Sequence, residues 1–175
     1  MTAAMDKLIQ FLSDDEKAIA RDFDSLATDP KLALFYYIYK KMGDSITPAA
    51  PTAADPELAP VLLGDFYQLS EDDQLNVMRD IVNQADTEYS RYYGALSENN
   101  RLMVWYAWAK AMGDTVVGMP ADYQATDDMN QILQRLEQLE FQNQISVLRA
   151  IAASMGRSDI DRVSSQAEVG TTDSL

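Results

Sequence analysis

Hydrophobic and polar positions along the chain follow the period of an α-helix and are separated by residues that begin and end helices. Apolar residues recur three and four positions apart, and Ser, Thr or Asp precedes most of these segments. Ser13 and Glu16 form a capping-box pair, which predicts a helix over about residues 13–26. Long runs of β-branched residues are few. The sequence therefore predicts an all-α fold.

The predicted helices lie on both sides of a proline-rich segment. A helix with a proline in its first turn begins at Thr28, and we expect it to end at Gly43. Residues 44–60 hold four prolines and predict a loop or linker. Residues 157–175 are poor in large apolar side chains and predict a linker-like, flexible tail. Further helices are predicted at about residues 60–68, 71–84, 87–94, 98–112, 127–139 and 142–155.

An internal repeat lies at an offset of seventy residues. Residues 31–46 align with residues 101–116, with six identities in sixteen positions. In the same register, residues 74–81 align with residues 144–151. Shared helical composition does not readily produce two matching blocks at one offset.

The repeat predicts two related helical halves within one domain. We place the halves at about residues 28–96 and 97–156, and the domain at residues 1–156, with the N-terminal helices completing a bundle. If the halves pack on each other, equivalent helices face each other across an approximate twofold axis.

The two helices that carry the repeat have apolar stripes at helical spacing, and these stripes would form an aromatic seam. Both helices are apolar nearly all round, so we expect them to be the most buried. The first stripe is Leu32, Phe35, Tyr36, Tyr39 and Met42, and the second is Leu102, Trp105, Tyr106, Ala109 and Met112.

The aromatic seam has two interpretations. It is the plain core of a helical bundle, or it lines a cavity for a flat apolar ligand. Seven aromatic rings in two short segments exceed what a helix pair needs, and buried Tyr and Trp each require a hydrogen-bond partner. The nine methionines of the chain suit an irregular cavity.

Arg79 and Arg149 occupy equivalent positions of the repeat, on helices that are otherwise apolar on one face. One interpretation is a surface ion pair with a nearby acid, which contributes little to stability. The other is a guanidinium beside the aromatic seam that contacts one end of a ligand or docks an acidic partner.

The amino-acid composition limits the reactions and binding partners that the chain can have. The 175 residues include no cysteine and no histidine, which removes thiolate and imidazole chemistry, and we predict that the protein is not an enzyme and binds no metal. Paired acidic residues lie at helix starts, where the positive end of the helix dipole stabilises their negative charge. The net charge of −14 disfavours nucleic acid and anionic membranes as partners, and no apolar run is long enough for a membrane span.

Several motifs in sequence order resemble the N-terminal domain of the cyanobacterial orange carotenoid protein family. The resemblance covers about residues 15–156. Its motifs are residues 36–51 (YYIYKKMGDSITPAAP), residues 78–87 (MRDIVNQADT), Trp105 with Tyr106, residues 120–123 (PADY) and residues 144–149 (QISVLR).

The resemblance implies two intertwined four-helix bundles with a ketocarotenoid of the canthaxanthin, echinenone or hydroxyechinenone type between them. The family fold is also associated with a chloride ion, which the sequence does not place. Tyr36 stands where the photoactive family member has a tryptophan, and Arg79 replaces a small residue beside the pigment. The implied carotenoid contacts are Leu32, Tyr36, Tyr39, Met78, Leu102, Trp105, Tyr106, Met119, Ile145 and Arg149.

The resemblance also implies a photoprotective function. The photoactive family member continues through a linker into a second domain, and this sequence stops where that linker would begin. We therefore expect a cytoplasmic pigment protein, near thylakoid membranes or phycobilisomes, that quenches singlet oxygen or phycobilisome excitation without photoswitching. Arg149 would then be available to a phycobilisome or to a separate homologue of the second domain. The alternatives are a carotenoid carrier for such a homologue and a colourless interaction module.

Overall fold

A computed structural model describes residues 3–46 and 59–158 of the chain. Within those residues the regular structure is helical, with one isolated bridge between Met112 and Val116 and no β-strand, which confirms the predicted all-α class. Two short 3₁₀ helices span Ile9–Phe11 and Asp65–Gln68. The α-helices are α1 (Ala3–Leu8), α2 (Asp14–Asp24), α3 (Thr28–Ile46), α4 (Glu71–Val82), α5 (Glu88–Gly94), α6 (Glu98–Lys110), α7 (Asp127–Gln138) and α8 (Phe141–Ala153).

Five helices begin with the side-chain caps that their sequences predict. In each, a Ser or Thr hydroxyl accepts a hydrogen bond from the backbone N–H three residues later, which satisfies one of the first N–H groups of the helix. The capping residues are Ser13, Ser70, Thr87, Ser97 and Thr126.

The prediction that a helix ends at Gly43 is wrong, because α3 continues to Ile46. The ring of Tyr39 lies over Gly43, where a Cβ atom would be 2.8 Å from the ring carbon Cδ2. Glycine therefore serves close packing inside the helix there. Its repeat equivalent, Gly113, lies after the end of α6 with a φ of 85°, which favours glycine.

Two other segments differ from the prediction. The helix expected over residues 60–68 is a series of turns followed by the 3₁₀ helix Asp65–Gln68. Helix α1, of six residues, lies before the first helix for which the sequence predicts bounds. Three of the four prolines of the predicted loop and nearly all of the predicted tail lie outside the described residues.

Side-chain contacts recur at the offset of seventy residues. The Gln74 amide donates to the carbonyl of Phe66 at 3.3 Å, and the Gln144 amide donates to the carbonyl of Leu136 at 3.0 Å. Both glutamines are buried. Each holds the start of its helix against the segment that precedes it.

An aromatic pair recurs in the same way. Phe23 meets Phe35 edge to face, with ring centroids 5.3 Å apart and planes at 63°. Seventy residues later, Tyr93 meets Trp105 with centroids 6.1 Å apart and planes at 64°. The repeated contacts therefore extend back into α2, before the predicted start of the first half at residue 28.

Helices of one repeat pack against helices of the other repeat. By the offset of seventy, α5 corresponds to α2, α6 to α3, and α8 to α4. Helix α2 packs against α8, and α5 packs against α4, while α3 and α6 contact each other. The limits of the two halves and the complete two-bundle arrangement stay predictions.

Candidate functional site

The centre of the aromatic seam is a stacked pair of rings from equivalent positions. Phe35 of α3 and Trp105 of α6 lie with centroids 4.9 Å apart and planes within 6° of parallel. Both side chains are buried. The two stripes predicted from sequence therefore meet at this pair.

Trp105 is also tied into the core by hydrogen bonds. Its Nε1–H donates to the Tyr93 hydroxyl at 2.8 Å, and that hydroxyl donates to the Ala152 carbonyl at 2.5 Å. Burial raises the pKa of Tyr93, so the hydroxyl stays protonated and keeps both roles. The buried polar atoms of Trp105 and Tyr93 are thus satisfied.

A first apolar space, which we call the methionine cavity, lies at one end of the aromatic seam. Its volume is about 280 Å³. This exceeds the roughly 150 Å³ that holds benzene in an engineered protein cavity. Its lining residues are Asp29, Leu32, Ala33, Leu75, Met78, Arg79, Met112, Val117, Gly118, Met119, Pro120 and Tyr123.

A second apolar space, the tyrosine cavity, lies at the other end of the aromatic seam. Its volume of about 30 Å³ has room for about one water molecule. Tyr39 and Tyr106 meet over it edge to face, with centroids 5.1 Å apart. Its lining residues are Phe35, Ile38, Tyr39, Gly43, Leu102, Trp105, Tyr106 and Leu148.

The two cavities lie on one continuous face of α3. Leu32 lines the methionine cavity and Tyr39 lines the tyrosine cavity, which places them two turns, or about 10 Å, apart along the helix. On α6 the order is reversed, because Leu102 lines the tyrosine cavity and Met112, beyond the end of the helix, lines the methionine cavity. The antiparallel pair therefore presents one elongated apolar surface with a cavity at each end.

Gln74 fixes the segment that covers the methionine cavity. Its amide donates to the Thr115 carbonyl at 2.9 Å, and its carbonyl oxygen accepts from the Val117 N–H at 2.8 Å. Sequence reasoning used this residue only to align the repeat. The counterpart segment in the other repeat, about residues 47–53, lies outside the described residues.

The two equivalent arginines have different partners, although the partners are themselves equivalent. Arg79 binds Asp29 through Nε at 2.9 Å and Nη2 at 3.0 Å, and this hydrogen bonding raises the pKa of Arg79. Arg149 instead donates to the Asn99 side-chain carbonyl at 3.1 Å. The Arg79 charge is therefore balanced by a carboxylate, whereas the Arg149 partner is a neutral amide.

The structure brings most of the sequence-predicted carotenoid contacts to the two cavities. Tyr36 lies instead beside Tyr37, with the Lys40 ammonium 5.5 Å from its ring centroid. Ile145 and Arg149 are half-buried and line neither cavity. The methionine cavity takes Leu32, Met78 and Met119, and the tyrosine cavity takes Tyr39, Leu102, Trp105 and Tyr106.

Sequence reasoning missed two apolar residues of this site. Leu75 lines the methionine cavity and Leu148 lines the tyrosine cavity. Leu148 is the repeat equivalent of Met78, and Leu75 is the repeat equivalent of Ile145. Applying the seventy-residue offset to each predicted contact would have found both.

Within the described part of the chain, no group of acidic side chains could hold a metal ion. None of the helices described there is long and apolar enough to cross a membrane. The site is defined by apolar surface, with one arginine at its edge.

This fold and site are those of a helical protein with a candidate binding site for an elongated apolar ligand. Apolar cavities with few polar groups are typical of small-molecule sites. A profile of the family described as "Orange carotenoid protein, N-terminal" matches residues 10–158. The chain belongs to this carotenoid-binding family.

Proteins with similar sequences carry names that agree with the family assignment. A protein of Nostoc sp. strain PCC 7120 named "Orange carotenoid-binding domain-containing protein" is 44% identical over 135 residues, which are 77% of this chain and 79% of the relative. The orange carotenoid-binding protein of Synechocystis sp. strain PCC 6803 is 37% identical over 79% of this chain, but only 44% of its own length is matched.

Solved structures of carotenoid proteins are also similar to this chain. The Red Carotenoid Protein of Anabaena (Nostoc) sp. PCC 7120 binding canthaxanthin has a TM-score of 0.72 and 31% identity, over 81% of this chain and 98% of that one. The Orange Carotenoid Protein of the same organism binding canthaxanthin has a TM-score of 0.74 and 30% identity, over 90% of this chain and 52% of that one.

We expect Gly43→Ala to move the Tyr39 ring with little change in stability. Alanine favours the helix by about 0.5–1 kcal/mol, which offsets part of the cost of displacing the ring. Aromatic NMR correlation spectra should show shifted Tyr39 and Tyr106 signals, while the free energy of unfolding changes by less than about 1 kcal/mol.

The exposed α4 substitution Asn76→Ala is the control, because it alters helix propensity away from both rings. Unchanged Tyr39 and Tyr106 signals in Gly43→Ala would show that the close ring packing on Gly43 is not present in solution.

Proposed function

We propose that this protein binds a ketocarotenoid along the aromatic seam and acts as a photoprotective quencher. The observation that carries the proposal is the pair of apolar cavities at opposite ends of that seam, in a chain of the orange carotenoid protein N-terminal family. Two similar solved structures bind canthaxanthin, which supports a ketocarotenoid ligand.

The proposed pose places one end ring in the methionine cavity and the polyene alongside Phe35 and Trp105 and past the tyrosine cavity, because the extended polyene is longer than the separation of the two cavities along α3. The methionine cavity, at about 280 Å³, has room for an end ring as it stands. The tyrosine cavity, at about 30 Å³, would admit the polyene only when Tyr39 and Tyr106 move apart. The half-buried state of these two tyrosines supports such a movement.

Quenching by this arrangement requires no reactive side chain. The pigment accepts excitation energy and returns it as heat, while the apolar surface orders the polyene and excludes water. The energy donor is singlet oxygen, or an excited phycobilisome. Both cavities along the proposed pigment path belong to one helical domain, so we expect visible light to leave the pigment spectrum unchanged.

Arg149 is the proposed contact for an acidic partner. Its Asn99 partner is neutral, so the positive charge of Arg149 is not balanced within this pair. The remaining surface is acidic on average, with a net charge of −14 for the chain. A phycobilisome or a separate homologue of the second domain is the expected partner, while the chloride ion and the location beside thylakoid membranes stay predictions.

The function is tested by producing the full chain in a bacterial host that makes canthaxanthin. We expect a coloured protein that quenches singlet-oxygen phosphorescence more strongly than the pigment-free protein. Tyr39→Ala and Tyr106→Ala should each retain at most about a tenth as much pigment, because each removes an aromatic contact with the polyene in the proposed pose.

Tyr92→Ala is the matched control, since Tyr92 is 43% exposed and lies outside the aromatic seam. A colourless product with normal helicity would contradict the proposal and favour a helical interaction module. A coloured product that quenches no better than its pigment-free form would favour a carotenoid carrier.

A further inference from the structure

The methionine cavity is apolar except at one edge. Among the described residues that line it, Arg79 is the only cation, and Asp29 is its ion-pair partner. The other polar lining side chain, Tyr123, directs its hydroxyl to the Met129 sulfur at 3.8 Å. A ligand end in this cavity would therefore meet one strong hydrogen-bond donor.

Asp29 holds Arg79 in a fixed orientation. The carboxylate binds Nε and Nη2 of the guanidinium, which is the planar two-point geometry of a fork-like pair. This pairing leaves the two N–H groups of Nη1 outside the ion pair. Arg79 lines the edge of the methionine cavity with 39% of its side chain exposed.

The charge balance of the pair restricts which ligands suit it. An anionic ligand group would compete with Asp29 for the guanidinium and be repelled by the carboxylate. A neutral acceptor, such as a ring ketone, can bind Nη1 without disturbing the pair. A purely hydrocarbon ring would leave Nη1 without a ligand partner.

We propose that Arg79, oriented by Asp29, is a specificity-determining residue that donates a hydrogen bond from Nη1 to a ketone oxygen on the ligand ring in the methionine cavity. This inference rests on the proposed carotenoid function. It assigns the methionine cavity to an oxygenated end of the pigment and distinguishes it from the tyrosine cavity.

The test compares canthaxanthin, which carries a ketone on both rings, with β-carotene, which has none. Full-length protein, produced without pigment, is offered equal amounts of both, and the bound pigments are extracted and quantified. We expect Arg79→Leu to lower the canthaxanthin-to-β-carotene ratio about tenfold relative to the unaltered protein, without reducing bound β-carotene. Arg79→Lys, which keeps a donor, should lower the ratio less.

A vibrational measurement reports the contact directly. In bound canthaxanthin, the C=O stretch of one ketone should be lowered by the hydrogen bond and should return to higher frequency in Arg79→Leu. Arg91→Leu is the control, because Arg91 forms an exposed ion pair with Asp86 outside both cavities.

The outcomes separate this inference from the proposed function. An unchanged pigment ratio and C=O stretch in Arg79→Leu, or an equal loss of both pigments, would overturn the specificity role and leave carotenoid binding intact. If the unaltered, folded protein takes up neither pigment, the proposed function and this inference both fail.

Discussion

Trp105→Ala is expected to lower the free energy of unfolding by about 3–5 kcal/mol, the range for removing a large aromatic side chain from a packed core. Trp105 is 5% exposed, stacks on Phe35, and meets Tyr93 and Trp108 edge to face. Its loss leaves a cavity at the centre of the aromatic seam and removes the donor to the Tyr93 hydroxyl.

Urea unfolding of the pigment-free protein, followed by far-UV circular dichroism, measures this effect. Phe11→Ala is the control for loss of an aromatic side chain, because Phe11 is 89% exposed and should change stability by under about 0.5 kcal/mol. A loss of less than about 1 kcal/mol in Trp105→Ala would mean that the stacked pair is not part of the pigment-free core.

Tyr93→Phe is expected to lower the free energy of unfolding by about 1–3 kcal/mol, because it leaves the buried Trp105 N–H without its acceptor. The Ala152 carbonyl also loses the Tyr93 hydroxyl, but it still accepts from the Met155 N–H at 3.3 Å. The equivalent position in the other repeat shows how the cost can be reduced. There, Phe23 packs on Phe35 with no polar atom in either side chain.

The double variant Tyr93→Phe with Trp105→Phe reproduces that apolar pair. We expect its loss of stability to be at least about 0.5 kcal/mol smaller than the sum of the single losses, since no indole N–H is left unsatisfied. The measurement is again urea unfolding, with the exposed substitution Tyr92→Phe as the control. Additive losses would show that the Tyr93 and Trp105 side chains are energetically independent.

Local signals in the sequence predicted helix starts better than helix ends. A cap such as Ser13 acts through a neighbour three residues away, so its effect can be read from the chain. The end predicted at Gly43 failed because the ring of Tyr39 uses the missing side chain of that glycine for packing. Glycine alone does not show whether a helix stops or a neighbouring ring packs closely.

The candidate site was predictable where the repeat carried the information. Leu32 and Leu102 were found on equivalent stripes, and they line different cavities. The partners of the two arginines could not be assigned from sequence, because Asp29 and Asn99 lie fifty residues away from them along the chain. The hydroxyl contact between Tyr93 and Trp105 likewise joins separate helices.

The stacked centre of the aromatic seam also gives the molecule an intrinsic optical reporter. The chain has two tryptophans, Trp105 and Trp108, and their ring centroids are 5.3 Å apart beside the proposed pigment path. Every indole in the protein therefore lies close to the polyene in the proposed pose. Carotenoid uptake could be followed in real time, without a label, as the loss of tryptophan fluorescence.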